Sequence, residues 1–273
     1  MKFITDRFEQ GAKIVLFVLA GALPLWFVPS SHIGIDRGRE ITFGILILLA
    51  VILWLLHILS AGEIRYQRSP LLWAALAAAA VFGASALASQ APMVSVLFAD
   101  ASAEKLSSFA AMLVVMITAG SVLWRREDAG TLLFVLIFSG AASAVLTFLQ
   151  ISLNISIFRY LNIANGVDAN AIGTINGLAL FYAALLSLSA GLTLSRAAAG
   201  WHTWVRWALY AASLAFLVDI ALINSPAAWI TLLGTSVFLF GLALIQNRMA
   251  GNEETGDRQP LADGVSRARQ TTN

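Results

Sequence analysis

No cysteine occurs anywhere in the chain. That absence excludes disulfides, thiolate metal sites and cysteine nucleophiles, and it leaves the redox compartment open. Charge is also scarce, at 12% Asp, Glu, Lys and Arg, against roughly 25% in ordinary soluble domains. The three histidines, His32, His57 and His202, stand on separate segments, so no spacing of the kind that holds zinc arises and no metal is expected. A phosphate loop ending in Gly-Lys-Ser/Thr, a G-x-S-x-G elbow and an H-E-x-x-H helix are all missing, which removes the common soluble-enzyme classes. The pI near 9.2 and net charge of +2 come without a basic patch, so nucleic acid is not an expected partner.

What the chain has instead is 59% apolar residues and a mean hydropathy of +0.81. These residues gather into runs, each near the roughly 20 residues that carry a helix across a ~30 Å hydrocarbon core. The runs fall at about 13–29, 41–61, 71–88, 107–124, 129–152, 172–195, 203–223 and 226–246. The expectation is an all-α, polytopic transmembrane bundle of about eight helices over residues 1–247. The polar stretch 248–273, without aromatics or periodicity, is expected to be a disordered cytoplasmic tail. Asp6 and Glu9, and the lack of an A-x-A site, argue that the first run is a retained helix and not a cleaved signal.

Orientation follows from the basic residues, which cytoplasmic loops retain. Eight alternating spans put 13 of the 17 Lys and Arg on one side and four, Arg37, Arg39, Lys105 and Arg159, on the other. Both termini are therefore expected in the cytoplasm. Tryptophans support the alternation, because their amphipathic rings favour the interface: all except Trp54 fall near predicted span ends. Small residues cluster at Ala74 to Ala80 and at Ser139 to Ala144, where close helix packing is expected.

Three expected outer loops, 30–40, 89–106 and 153–171, are long enough to cap a water-accessible cavity. Asp219, in Phe216-Leu217-Val218-Asp219-Ile220-Ala221 near the outer end of the seventh span, is a carboxyl in an apolar run, and such a group needs a partner or a cavity. Arg37, Arg39 and Arg159 are candidates to reach it, or to hold phosphate through their planar forks. The plain alternatives are a carboxyl hydrogen-bonded to a neighbouring helix and arginines solvated or resting on lipid headgroups.

Three stretches carry a family resemblance. Gly173-Thr174-Ile175-Asn176-Gly177-Leu178-Ala179-Leu180-Phe181, opening the sixth span, resembles the G-T-x-N-x-x-A-L pattern of the O-antigen ligase and polymerase family of bacterial membrane proteins. Ser225-Pro226-Ala227-Ala228-Trp229 is similar to that family's S-R-G-A-W element. Ser95-Val96-Leu97-Phe98 with Lys105-Leu106-Ser107-Ser108 resembles its outer loop before the fourth or fifth helix. The correspondence runs over about residues 10–246. It departs at Pro226, where the family has an arginine, and in lacking the large outer loop and later helices, as in the front portion or a shortened relative of such a protein.

The resemblance implies a bacterial inner-membrane protein that handles surface polysaccharide, with a polyprenyl-diphosphate-linked glycan and membrane lipid as partners. If active, it would transfer a glycan at the outer face without a metal or nucleotide cofactor. It makes Asn176 a candidate contact beside Arg37, Arg39, Arg159 and Asp219. Two other classes stay open: a noncatalytic subunit or scaffold packed against a partner membrane protein, and a small-molecule transporter, which would need polar residues lining a path through the bilayer.

Overall fold

The structure is a computed structural model, and it describes residues 2–26, 35–62, 70–88, 106–153, 174–194 and 201–256. Among these residues there are eight helices and no strand: α1 (Lys2–Ala22), α2 (Ile35–Ala61), α3 (Pro70–Leu87), α4 (Leu106–Val122), α5 (Arg126–Leu153), α6 (Ile175–Leu194), α7 (Thr203–Ile223) and α8 (Pro226–Gly256). Four of them, α2, α5, α6 and α7, are long and apolar enough to cross a membrane. Shorter apolar stretches lie in α3, α4 and α8. Large apolar side chains stay exposed along them, Leu59, Val81, Ile230 and Phe240 among others. A water-soluble fold would bury such surface, so this is a helical membrane protein.

Three boundaries differ from the sequence reading, each for a local reason. The first helix begins at Lys2 and ends at Ala22, not 13–29. Its early turns are amphipathic and escape a hydropathy window, while Pro24 stops regular helix bonding, leaving a turn at 23–25. Residues 35–40, expected in a loop, form the opening turns of α2. The polar stretch expected from residue 248 begins inside a helix, since α8 runs to Gly256; residues 257–273 lie outside the described residues.

The helices pack in two groups that meet at α5. In the first, α1 lies along α2, α4 and α5, burying Ala12, Leu16 and Leu19 against Ala50 and Val122, with Trp54 packed at the edge. Glycines permit this approach: a Cβ at Gly11 would stand 3.4 Å from Leu53 Cδ1, and one at Gly21 3.3 Å from Val135 Cγ1. In the second, α6 packs on α7 and α8, and α5 closes over α7 and α6. Tyr182, Phe216, Ile137, Leu178 and Leu209 form its core.

The two small-residue runs behave differently. In α5, Gly140, Ser143 and Ala144 are buried, and a Cβ on Gly140 would overlap the Leu185 side chain of α6. In α3, Ala74, Ala77 and Ala80 remain exposed, and the helix rests only on α4 among the substantial contacts. The expected close packing holds for α5, whereas in α3 Ala75, Ala78 and Ala79 are half-buried and the other face of the run is open among the described residues.

At one end of the molecule, where α1 and α5 begin and α2 finishes, an ionic network crosses three helices. Lys13 Nζ lies 2.9 Å from Glu9 Oε1 one turn earlier and 2.8 Å from Asp128 Oδ2 on α5, and His57 Nε2 on α2 lies 3.9 Å from Glu9 Oε2. Arg125 stacks over Trp124 beside it. At the opposite end, α7 and α8 are joined by Asn224 and Ser225 alone. Asn224 adopts the left-handed conformation, φ 52°, and its N–H bonds to Ile220 O, closing α7 as a left-handed cap does. Pro226 then opens α8 at the position where a missing N–H costs nothing.

Candidate functional site

The end that carries the Asn224–Ser225 turn also holds a buried polar cluster of the second helix group. On α5, Ser143, Thr147 and Gln150 fall at the i, i+4, i+7 spacing of one helical face, and all three are buried. Tyr182 of α6, fully buried, points its hydroxyl at that face, 3.2 Å from Ser143 Oγ and 2.9 Å from Thr147 Oγ1. Its ring stacks on Phe216 of α7 at 5.7 Å. One helical turn beyond Phe216 stands Asp219, 1% exposed. With about 1.5 Å of rise per residue, Thr147, Tyr182 and Asp219 all lie roughly 6–11 Å inside that end of their helices.

Counting protons shows how the cluster is satisfied. Each hydroxyl has one proton to give and two lone pairs to receive. Thr147 donates to Ser143 O at 3.0 Å, and the Tyr182 hydroxyl shares a hydrogen bond with each of Thr147 Oγ1 and Ser143 Oγ, in which either oxygen can be the donor. Both carboxyl oxygens of Asp219 are buried without a hydrogen-bond partner among the described residues.

Nearer the middle of the helices, further hydroxyl pairs tie α6 to its neighbours: Ser189 with Ser213 of α7 at 2.7 Å, and Ser187 donating to Thr235 of α8 at 2.7 Å. Such contacts between membrane helices average about 0.6 kcal/mol each. They serve packing, and none involves Asp219.

Of the residues singled out by sequence, Asp219 is the one this region contains. Asn176 sits in the first turn of α6 at the same end and is exposed, outside the hydroxyl cluster. Arg37 and Arg39 lie in the first turns of α2, with side chains outside the described residues, on a helix that packs against α1 and α4 and not substantially against α7. Arg159 lies outside the described residues. Sequence reasoning missed Tyr182, Ser143 and Thr147. The signal for them is the polar spacing along α5, of which the sequence run Ser139 to Ala144 covers only the first part.

The two motif segments also converge here. Thr174 caps α6, its Oγ1 accepting the Gly177 N–H at 3.1 Å, a role that hydroxyl residues fill at helix starts. A side chain at Gly177 would press 3.0 Å against that oxygen. Ser225 is buried and its carbonyl takes the Trp229 N–H at the start of α8, while the Trp229 indole donates to Asn224 Oδ1 at 3.3 Å. Ala228 is fully buried between these helices. Because the short turn makes α7 antiparallel to α8, and Ser187 meets Thr235 at similar distances from their helix starts, α6 and α8 begin at the same end.

Among the described residues, no group of three or more His, Cys, Asp or Glu could hold a metal ion. These features define a helical membrane protein with a hydroxyl-rich interior and one buried carboxyl near one end. No protein-family model, no curated protein and no solved structure matches the chain.

Proposed function

We propose that the protein is an eight-span protein of the bacterial inner membrane, with both termini cytoplasmic, which binds lipid-linked surface glycan at its extracytoplasmic end in the manner of O-antigen ligases. The observation that carries this reading is the convergence of the two motif-bearing helix starts, Thr174–Phe181 and Ser225–Trp229, around the end where Asp219 is buried. The basic-residue asymmetry assigns that end to the extracytoplasmic side, where Arg37, Arg39 and Arg159 supply the cations for a diphosphate. Thr174 and Ser225 are occupied in capping and turn formation, and Pro226 replaces the family's arginine. Donor binding, with glycan transfer left to another group or another protein, is therefore the form of the reading we adopt.

Topology gives the first check. Reporters fused after Asn273 are expected in the cytoplasm and reporters inserted near Asp100 or Asp168 outside it; an extracytoplasmic C-terminus would sink the eight-span arrangement. Binding gives the second. Purified protein in detergent is expected to retain a polyprenyl-diphosphate lipid, with Arg37→Ala, Arg39→Ala or Arg159→Ala weakening binding about tenfold each, the worth of one charge-assisted contact. Retention no greater than by an unrelated membrane protein would remove the glycan reading.

The exposed Ala74, Ala77 and Ala80 of α3 favour a second reading, a noncatalytic subunit whose small-residue face takes a partner helix. Bulky substitutions along that face, such as Ala77→Leu, would then abolish copurification of a partner while sparing lipid binding.

A further inference from the structure

We propose that the exposed face of α7 over its first four turns is a binding site for one anionic phospholipid, with Arg206 taking the phosphate and the rings and aliphatic side chains beyond it taking the acyl chains. Residues three and four apart are neighbours on a helix surface. Thr203, Arg206, Trp207 and Tyr210 are related in that way, and all four are exposed. Trp204 precedes Trp207 by three residues, and both indoles are 68% exposed. The Trp207 and Tyr210 rings meet edge-on at 6.0 Å. One and two turns beyond Tyr210 on the same face come Leu214 and Val218, also exposed.

Read along the axis, this face passes from hydroxyl and guanidinium through aromatic rings to aliphatic groups, which is the order of polarity from the headgroup of a phospholipid into its chains. From Thr203 to Val218 it runs about 22 Å, room for a headgroup and for the half of a ~30 Å hydrocarbon core that one leaflet fills. The start of α7 is fastened in place, because the Trp201 ring packs edge-on against Phe134 of α5 at 5.1 Å.

Two features favour a lipid over a partner helix. Membrane helices approach one another through small residues, whereas this surface presents large rings, which favour the headgroup boundary because they join a polar edge to an apolar body. The charge of the segment is also of one sign: no Asp or Glu occurs between Asp168 and Asp219, and Asp219 is on the buried side of α7. A guanidinium grips two phosphate oxygens together. A net-negative lipid leaves that phosphate free for the protein, whereas a zwitterionic headgroup brings its own cation.

The site lies at the end of α7 opposite Asn224 and stands on this face alone, so it and the glycan reading can fail separately. The test titrates delipidated full-length protein, in an uncharged detergent, with phosphatidylglycerol or with phosphatidylcholine of the same chains, and counts bound lipid by native mass spectrometry. Wild type is expected to bind phosphatidylglycerol about fivefold more tightly, the worth of one cation against an anionic headgroup. Arg206→Gln is expected to abolish that preference and Arg206→Lys to retain it, which separates loss of charge from loss of fold. Arg125→Gln, a change of cation on another part of the chain, is expected to leave it unchanged. Trp207→Ala is expected to weaken both lipids by a similar factor, since contact of a ring with lipid does not depend on headgroup charge.

Equal affinity of wild type for the two lipids would overturn the proposal, as would a preference that survives Arg206→Gln. Displacement of phosphatidylglycerol by an equal concentration of glycerol phosphate would show a site for soluble phosphate and equally end it.

Discussion

Replacing Gly140 with leucine is expected to lower the stability of the folded protein by about 3 kcal/mol, at the upper part of the range for overpacked cores. Gly140 is buried where α5 crosses α6, and even one added carbon would overlap the Leu185 side chain and stand 3.6 Å from Phe216 Cε1. Leu185 and Phe216 are themselves buried, so a whole leucine side chain, unlike a single methyl, cannot be accommodated by turning one Leu185 methyl aside. Gly140→Ala is a graded control. There, the Leu185 methyl must turn away, but alanine favours the helix by about 1 kcal/mol over glycine, and the net change is expected to be near zero. Thermal unfolding in detergent would read the leucine variant as a fall of about 6–12 °C. A leucine variant as stable as wild type would show that α5 and α6 do not meet at Gly140.

Reversing Lys13 to glutamate is expected to have the second largest effect. Lys13 bridges Glu9 and Asp128 at 2.9 and 2.8 Å, with these three side chains 15–23% exposed. The network lies between the surface pairs worth under about 1 kcal/mol and the buried pairs whose breakage costs about 3–5 kcal/mol. Reversal also places three acids together, so a loss of about 2–3 kcal/mol is expected.

The same network predicts an acid limb of stability. Burial opposes ionisation of Glu9, but Lys13, His57 and the Trp124 side chain outweigh it and hold the carboxyl below its ordinary 4.5. A carboxyl depressed in the folded state contributes stability above its unfolded value, and that stability is lost as pH falls through the lower folded value. Wild type is therefore expected to lose stability as pH drops below about 4.5, and Lys13→Met, without the depressing cation, to lose less over that window. Parallel acid limbs in the two proteins would remove Glu9 from the account.

The elements of this fold were legible from hydropathy because each apolar run is bounded by charge or by a strong turn signal. Asn224-Ser225-Pro226 reads as a tight turn from residue types alone, and the left-handed Asn224 and Pro226 at the head of α8 bear that out. Helix ends were less legible where charge and helix coexist. Glu9 and Lys13 lower the hydropathy of the first turns of α1, yet their spacing supports the helix. Asp219 stood out as a lone carboxyl in an apolar run. Tyr182 did not, because tyrosine is ordinary in a membrane helix and its meeting with Ser143 and Thr147 depends on how α6 packs against α5. That meeting is a tertiary fact, invisible in any single segment.

The two-residue joint between α7 and α8 also bears on how the chain enters a bilayer. With no slack between them, the two helices can be delivered to lipid as one preformed hairpin and not as separate segments. With the tip on the extracytoplasmic side, as we propose, a carboxyl near it must cross the hydrocarbon during insertion, at a penalty of about 2.5–3.5 kcal/mol at mid-membrane. A lone α7 would bear that penalty by itself, whereas the hairpin spreads it over the apolar surface of both helices. The Asn224 cap that closes α7 thereby also makes the biogenesis of its buried acid a shared event.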